Sequence, residues 1–328
     1  MTSWPLLFGL ALSAPAAQAP DPLELLRRSQ TPPLTAYAAE LSVGRPGAAA
    51  RRVAVRFSPP GLYRRETIGP AGETLQLEVE DGSAEWISVP ARRKVWKGAP
   101  ADPLYKRFGP DEELERLAEN YELDLADGGK VAGQAAWLVT LRSRADGSLA
   151  RRLWLDRASA LVLRRESFRP DGSPAGTEEV RSLRWGAQSP ALFRFSPPPG
   201  AAVVQRTEPD YLALDEAKAS GMEPRLPAWL PPGYVFESLD VMAKGRRSVL
   251  HYRFSDGIEV LSLFQCPPRV RFDLGARPRQ SVKLRTGRGF RTRAAEGSVL
   301  SWSSGGERFI LIGAPSDETL RRVAESIR

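Results

Sequence analysis

The stretch LPAWLPPGY, Leu226–Tyr234, divides the chain. Three prolines and a glycine within nine residues rule out a helix or a central strand there. Leu226, Trp229, Leu230 and Tyr234 are apolar, which sets the stretch apart from a solvated linker of the Gly/Ser kind. It reads as a rigid, partly buried segment that opens a second domain and fixes how that domain leaves the first. Trp229 is expected to pack within the second domain or against the first.

A chain of 328 residues is expected to hold about two domains. Its apolar fraction of 42% and charged fraction of 26% are those of an ordinary folded protein with a sizeable core. A single cysteine, Cys266, excludes an intrachain disulfide and any multi-cysteine metal site. A single histidine, His251, excludes His-pair zinc sites and argues against a histidine-based triad. No metal and no cofactor is expected. Trp4–Ala14 is an apolar run too short to span a bilayer, and small residues follow it. Residues 1–19 are therefore expected to form a signal peptide, the alternative being a disordered N-terminus. No cysteine follows the run, so the expectation is an exported, soluble, periplasmic protein.

Upstream of the dividing stretch the text alternates apolar and polar residues between turns, the pattern of antiparallel strands. Asp21-Pro22 predicts a short helix, capped by Asp21 and carrying Leu23 and Leu26 with Leu25 at its margin. Val53, Val55 and Phe57 share a strand face, as do Leu75, Leu77 and Val79. Asp81-Gly82, Asp127-Gly128, Asp146-Gly147 and Asp171-Gly172 mark turns. One helix interrupts the meander: Leu114, Leu117, Ala118 and Tyr121 recur at helical spacing behind Asp111, Glu112 and Glu113. Such a sheet needs its concave face filled by these helices or by a ligand. Trp86, Trp96, Trp137 and Trp154 are candidate cavity residues, and the competing reading makes them core or strand-pairing residues.

The order of these features resembles the LolA/LolB lipoprotein-carrier superfamily. A strand ending at Asp81-Gly82 precedes a Trp-bearing strand and a Pro turn, and Leu153-Trp154-Leu155-Asp156 and Phe193-Arg194-Phe195 before Pro197-Pro198-Pro199-Gly200 follow. The resemblance implies a half-open antiparallel barrel with capping helices and an apolar cavity for acyl chains. It covers residues 20–200. Residues 201–225 read as a linker, with a polar helix expected over Glu208–Gly221.

The second domain, residues 226–328, reads as a small α+β unit, which makes the whole chain mainly β. Asp256-Gly257 between two strand-like runs predicts a two-residue hairpin turn pairing Ser255 with Ile258, and hence Tyr252 with Leu261. In that register His251 is a half-exposed strand residue, and Cys266 a buried or incidental thiol. Residues 308–313 are apolar on both faces, so their strand is expected to be central. Ser316 should cap a helix whose face is Leu320, Val323, Ala324 and Ile327. This half resembles the C-terminal domain of the RseB/MucB family, in Leu230-Pro231-Pro232-Gly233-Tyr234, Ser255-Asp256-Gly257-Ile258, Leu261-Ser262-Leu263-Phe264 and Ile312-Gly313-Ala314-Pro315. Val323-Ala324-Glu325-Ser326-Ile327 also fits. Where that family usually has an acidic residue, this chain has Ala314.

No catalytic constellation emerges: no phosphate-cradling glycine loop is present, and no Ser, Cys or Lys has an activating partner nearby in sequence. The concentrated feature is charge. Between Arg269 and Arg293 lie nine basic residues and one acid, Asp273, a local excess equal to the +8 of the whole chain. Arg269, Arg271, Arg277, Arg279, Lys283 and Arg285 are candidates for a surface that meets an anionic partner; the competing reading is a solvated face in an arginine-biased protein. Nucleic acid is not expected for an exported chain. The RseB/MucB resemblance implies a regulator that binds the periplasmic segment of a membrane anti-sigma factor and senses acyl chains, lipoprotein or lipopolysaccharide. The alternatives are a periplasmic lipoprotein or lipid carrier, and a non-enzymatic envelope-binding module.

Overall fold

A computed structural model describes residues 19–99, 110–206, 210–212, 214–219, 222–244, 247–270, 272, 278–294 and 297–328. Residues 1–18 of the expected signal peptide lie outside them. Among the described residues no helix is long and apolar enough to cross a membrane.

The chain opens with α1 (Pro22–Gln30), in which the Asp21 carboxylate accepts the Glu24 amide at 3.1 Å and Leu25 and Leu26 are buried. Six strands follow: β1 (Tyr37–Arg45), β2 (Ala48–Ser58), β3 (Leu62–Ile68), β4 (Thr74–Glu80), β5 (Glu85–Val89) and β6 (Lys94–Gly98). Helix α2 (Pro110–Asn120) leads into β7 (Tyr121–Val131), β8 (Gln134–Ser143), β9 (Leu149–Asp156), β10 (Val162–Phe168), β11 (Pro174–Trp185) and β12 (Ala202–Gln205). Together the described strands β1–β12 make one sheet in the order β12-β6-β5-β4-β3-β2-β1-β11-β10-β9-β8-β7. Its pairs are antiparallel except β12–β6, and its two edges do not meet, so it is a half-open barrel. The apolar face of α1 and α2 caps it: Leu25, Leu26, Leu114 and Leu117 pack on Val139, Leu141 and Leu155.

The expected linker is largely structured. Residues 202–205 extend the first sheet, and β13 (Asp210–Leu212) begins the second. Where a longer polar helix is expected, a strand and the short α3 (Leu214–Ala219) stand, because Asp210–Leu212 pairs with the next strand. The second sheet continues through β14 (Val235–Lys244), β15 (Arg247–Ser255), β16 (Val260–Cys266), β17 (Gln280–Leu284), β18 (Gly287–Ala294), β19 (Gly297–Ser304) and β20 (Glu307–Gly313). Its order is β13-β14-β15-β16-β20-β19-β18-β17, which puts the doubly apolar β20 in the middle, as its pattern requires. Helix α4 (Asp317–Glu325) is capped by Ser316, which accepts the Thr319 amide at 3.2 Å. Leu320, Val323, Ala324 and Ile327 join Tyr252, Phe254, Leu263, Phe309 and Leu311 in one core.

The dividing stretch is anchored at both ends. Pro227 bridges Ile327, Ala228 donates to the Ser326 carbonyl at 3.0 Å, and the Trp229 amide donates to Ser326 Oγ at 3.2 Å. Trp229 packs on the second core, with the Arg322 guanidinium 3.9 Å from its ring centre. The segment therefore clamps onto α4 and packs on the core of the second sheet.

The hairpin between β15 and β16 departs from the expected register by two residues. Tyr252 pairs with Leu263 and Phe254 with Leu261, so Ser255 faces Val260. The turn centres on Gly257-Ile258, with Gly257 at φ +99, because the Asp256 carboxylate accepts the amides of Ile258 at 2.9 Å and Glu259 at 2.7 Å. A shift of two leaves every side chain on its expected face. This loop docks on the first domain. Tyr121, expected on the helix, starts β7 instead, and its hydroxyl donates to Asp256 Oδ2 at 2.8 Å. Asn120 Nδ2 donates to the carbonyls of Gly233 and Asp256, both at 2.9 Å, and Arg151 Nη2 to Ile258 O at 3.2 Å and Glu259 Oε1 at 3.1 Å. Ile258 is buried in the leucine cluster of α1 and α2.

Two outcomes are expected. Leu320→Ala, which empties a fully buried site under α4, should lower stability by about 2–5 kcal/mol in urea unfolding followed by tryptophan fluorescence. Burial, followed by the Asp256 carboxylate, holds the Tyr121 hydroxyl above the usual tyrosine pKa. A raised folded-state pKa gives stability that is complete below about pH 10 and is lost as pH rises through the folded value. Tyr121→Phe should cost about 1–3 kcal/mol at neutral pH by orphaning a buried carboxylate oxygen. The difference between wild type and variant should then shrink at alkaline pH; a constant difference would contradict the assignment.

Candidate functional site

Alternation along β8 and β9 turns Val139, Leu141, Leu153 and Leu155 to one face, and their cross-strand partners lie on the same side. Above them α1 and α2 do not fill the space completely. A cavity of ≈380 Å³ remains, walled by Leu26, Leu41, Leu114, Leu117, Leu141, Leu153, Val162 and Leu163. That volume falls near the lower end of the range typical of small-ligand pockets. Gly257 and Ile258 of the second domain close one side. Polar groups share the lining: Ser29, Gln30, Glu113, Arg151, Arg165 and Glu178. Gln30 Oε1 and Arg151 Nε are buried there without a hydrogen-bond partner.

Farther around the inner face the lining becomes charged. Arg165 is ion-paired with Glu178, and Arg65 lies 3.8 Å from both Glu178 and Glu78. Arg165 and Glu178 belong to both this ladder and the lining of the cavity.

None of the four tryptophans lines that cavity, and the structure does not bring them together. Register places Trp137 beside Leu155 and Trp96 beside Ile87 on the inner face, whereas Trp154 and Trp86 face outward. Each carries a cation over its ring: Arg157 at 3.9 Å for Trp137, Arg164 at 4.6 Å for Trp154, Lys94 at 4.7 Å for Trp96 and Lys97 at 4.8 Å for Trp86. Trp86 also pins the turn after β4, donating from Nε1 to Asp81 Oδ2 at 2.9 Å. Burial raises the Asp81 pKa, but hydrogen bonds from Ser83, Trp86 and the Ser83 and Ala84 amides outweigh it and hold the carboxyl at about 2.

The cavity leucines carry the same helical and alternating signals as any core residue. Spacing announces a buried face; it does not distinguish a filled face from a hollow one. Among the other candidates, His251 is stacked on Phe264 with centroids 4.2 Å apart, and its Nδ1 lies 3.1 Å from Asp240 Oδ2. It is more enclosed than a half-exposed residue, with 13% of its side chain accessible. Cys266 is a buried free thiol.

The basic cluster divides into two groups. Arg285 caps the end of α4 through its amide to Glu325 Oε1 at 3.2 Å and its guanidinium to Glu325 O at 3.0 Å. Arg291 pairs with Asp317, and Arg293 lies 4.0 Å from the same carboxylate. Arg269, Arg279, Lys283 and Arg288 are exposed. Lys283 faces Arg288 across β17 and β18, and the same face carries Phe290, which is 45% exposed. Among the described residues, strand β17 is the last of its sheet and pairs on one side. Arg271 and Arg277 lie outside the described residues.

Residues 96–190 match the MucB/RseB N-terminal domain. Over its whole length the chain is 25% identical to the Sigma factor AlgU regulatory protein MucB of Pseudomonas aeruginosa, 97% of which is covered. The complex structure of Pseudomonas aeruginosa MucA/MucB is similar in fold, with a TM-score of 0.60 at 19% identity over 94% of this chain and 99% of that one. A crystal structure of MucB aligns with a TM-score of 0.54 at 18% identity, over 95% and 98% of the two chains. A family match within the barrel, a full-length relative and a shared two-sheet fold point one way: the chain resembles the MucB/RseB family.

Proposed function

We propose that this protein is an exported, periplasmic regulator that binds the periplasmic segment of a membrane anti-sigma factor and holds an apolar chain in the cavity of its barrel. The observation that carries the first part is the full-length likeness to MucB, a sigma factor regulatory protein whose solved structures include a complex with MucA. In this reading the protein acts by binding and performs no catalysis; the partner is shielded from proteolysis while bound. The second domain supplies the protein contact. Its exposed Lys283 and Arg288, beside Phe290 on an edge hairpin, suit an acidic segment that also carries apolar side chains. Arg269 and Arg279 add to the same positive field, with Arg271 and Arg277 in the neighbouring sequence.

The cavity supports the second part. Its lining joins a cluster of leucines to several polar side chains, which fits an acyl chain with a hydrogen-bonding head. Each buried methylene contributes about 0.8 kcal/mol, whereas an exposed ion pair contributes at most about 1 kcal/mol and is screened by salt. A lipid ligand would thus draw its affinity from the barrel. The same cavity favours a second reading, a lipoprotein or lipid carrier, in which the bound chain is passed to an acceptor. The four tryptophans remain outside the proposed lipid contact.

The full chain and a Lys283→Glu/Arg288→Glu variant should be titrated with anti-sigma periplasmic segments at low and high salt. The variant is expected to bind about tenfold more weakly at low salt, the gap closing as salt screens the charges. Equal binding at every salt concentration would remove the basic hairpin from the contact. Failure of the wild type to bind any such segment, with transfer of a bound lipid to an acceptor membrane, would establish the carrier reading.

A further inference from the structure

The cavity of the first domain is not built by the first domain alone. Its outer side is formed by Gly257 and Ile258, the two corner residues of the hairpin turn between β15 and β16. Ile258 is 8% exposed and sits among Leu25, Leu26, Leu114 and Leu117. The approach is backbone to backbone: a Cβ on Gly257 would lie 2.7 Å from the Leu117 amide nitrogen, so the turn cannot be lined with a larger residue without moving away. The turn is held there by groups that do not touch the cavity. Asn120 reaches the carbonyls of Gly233 and Asp256, and Tyr121 reaches the Asp256 carboxylate. Arg151 spans the two: it lines the cavity and donates to Ile258 O and Glu259 Oε1.

We propose that the second domain completes the ligand site of the barrel, the Gly257-Ile258 turn serving as a wall, so that a single apolar chain binds only the docked arrangement of the two domains. This rests on the reading of the cavity as a ligand site. A chain lying against Leu114, Leu117 and Leu153 meets Ile258 as its fourth side. Lifting the turn would expose that side to water. Ligand affinity and domain docking are therefore linked, and each must strengthen the other by the same factor. A volume of ≈380 Å³ suits one chain. The Arg65, Arg165, Glu78 and Glu178 ladder prevents the chain from running farther along the inner face.

The test uses the full chain and dansyl undecanoate as the probe, with hydrogen exchange as a second measurement. Asn120→Ala is the deciding variant, because Asn120 holds the turn and does not line the cavity. The probe should bind the wild type, Asn120→Ala should weaken it about fivefold, and Ile258→Ala should weaken it at least as much. Saturating probe should slow amide exchange at Ile258 and Glu259 in the wild type, a readout that needs no variant. Lys218→Ala, at an exposed position of α3, should leave affinity unchanged. Equal affinity in wild type and Asn120→Ala, or faster exchange at Ile258 and Glu259 with probe bound, would overturn the composite site while leaving the cavity a ligand site. No binding to the wild type would overturn the cavity reading itself, and this proposal with it.

Discussion

A buried carboxylate organises the junction of the two domains. Removing an ionised carboxyl from water costs several kcal/mol unless donors replace the lost hydration. Asp256 obtains those donors from both sides of the interface. Oδ1 takes two amides of its own turn, Oδ2 takes the Tyr121 hydroxyl of the first domain, and the backbone carbonyl takes Asn120. The group that shapes the turn is thus also the group that docks it. The proline-rich segment adds the Gly233 carbonyl to the same Asn120 amide, so the rigid opening of the second domain and its hairpin tip converge on two consecutive residues.

From that junction the molecule separates its energetics. The barrel end beneath α1 and α2 offers apolar surface, where contact free energy accumulates with buried area and is insensitive to salt. The far edge of the second sheet offers exposed cations on a terminal strand, which steer an acidic partner and add little affinity of their own. The Asp317 carboxylate and the Glu325 carbonyl, at the two ends of α4, have already engaged part of the positive cluster. What remains outward is a smaller and more localised charge than the run of arginines suggests.

Much of the local structure was legible. Asp21 and Ser316 act as helix caps, the meander pairs as alternation requires, β20 is central, and LPAWLPPGY is clamped and partly buried. Asp256-Gly257 is a strong turn signal, yet the turn moved one residue on, since the Asp256 carboxylate takes the amides of Ile258 and Glu259. Tyr121 fits the helical spacing of Leu114 and Leu117 and still begins a strand, because its hydroxyl has a partner only there. The tryptophans looked like cavity residues by number and position, and their rings are instead covered by arginine and lysine across or along strands.

The chain's sequence by itself determined element type, the burial of faces and the basic bias of residues 269–293, since each depends on residues within a few turns or strand steps of one another. The tertiary structure alone decided where burial stops short of filling space. A cavity is a space left among Leu26, Leu114, Leu141 and Ile258, which come from four separate elements. No local pattern encodes such a gap, because it depends on how closely distant surfaces approach. Here that approach is set by LPAWLPPGY and the Asp256 turn holding the second domain against the first.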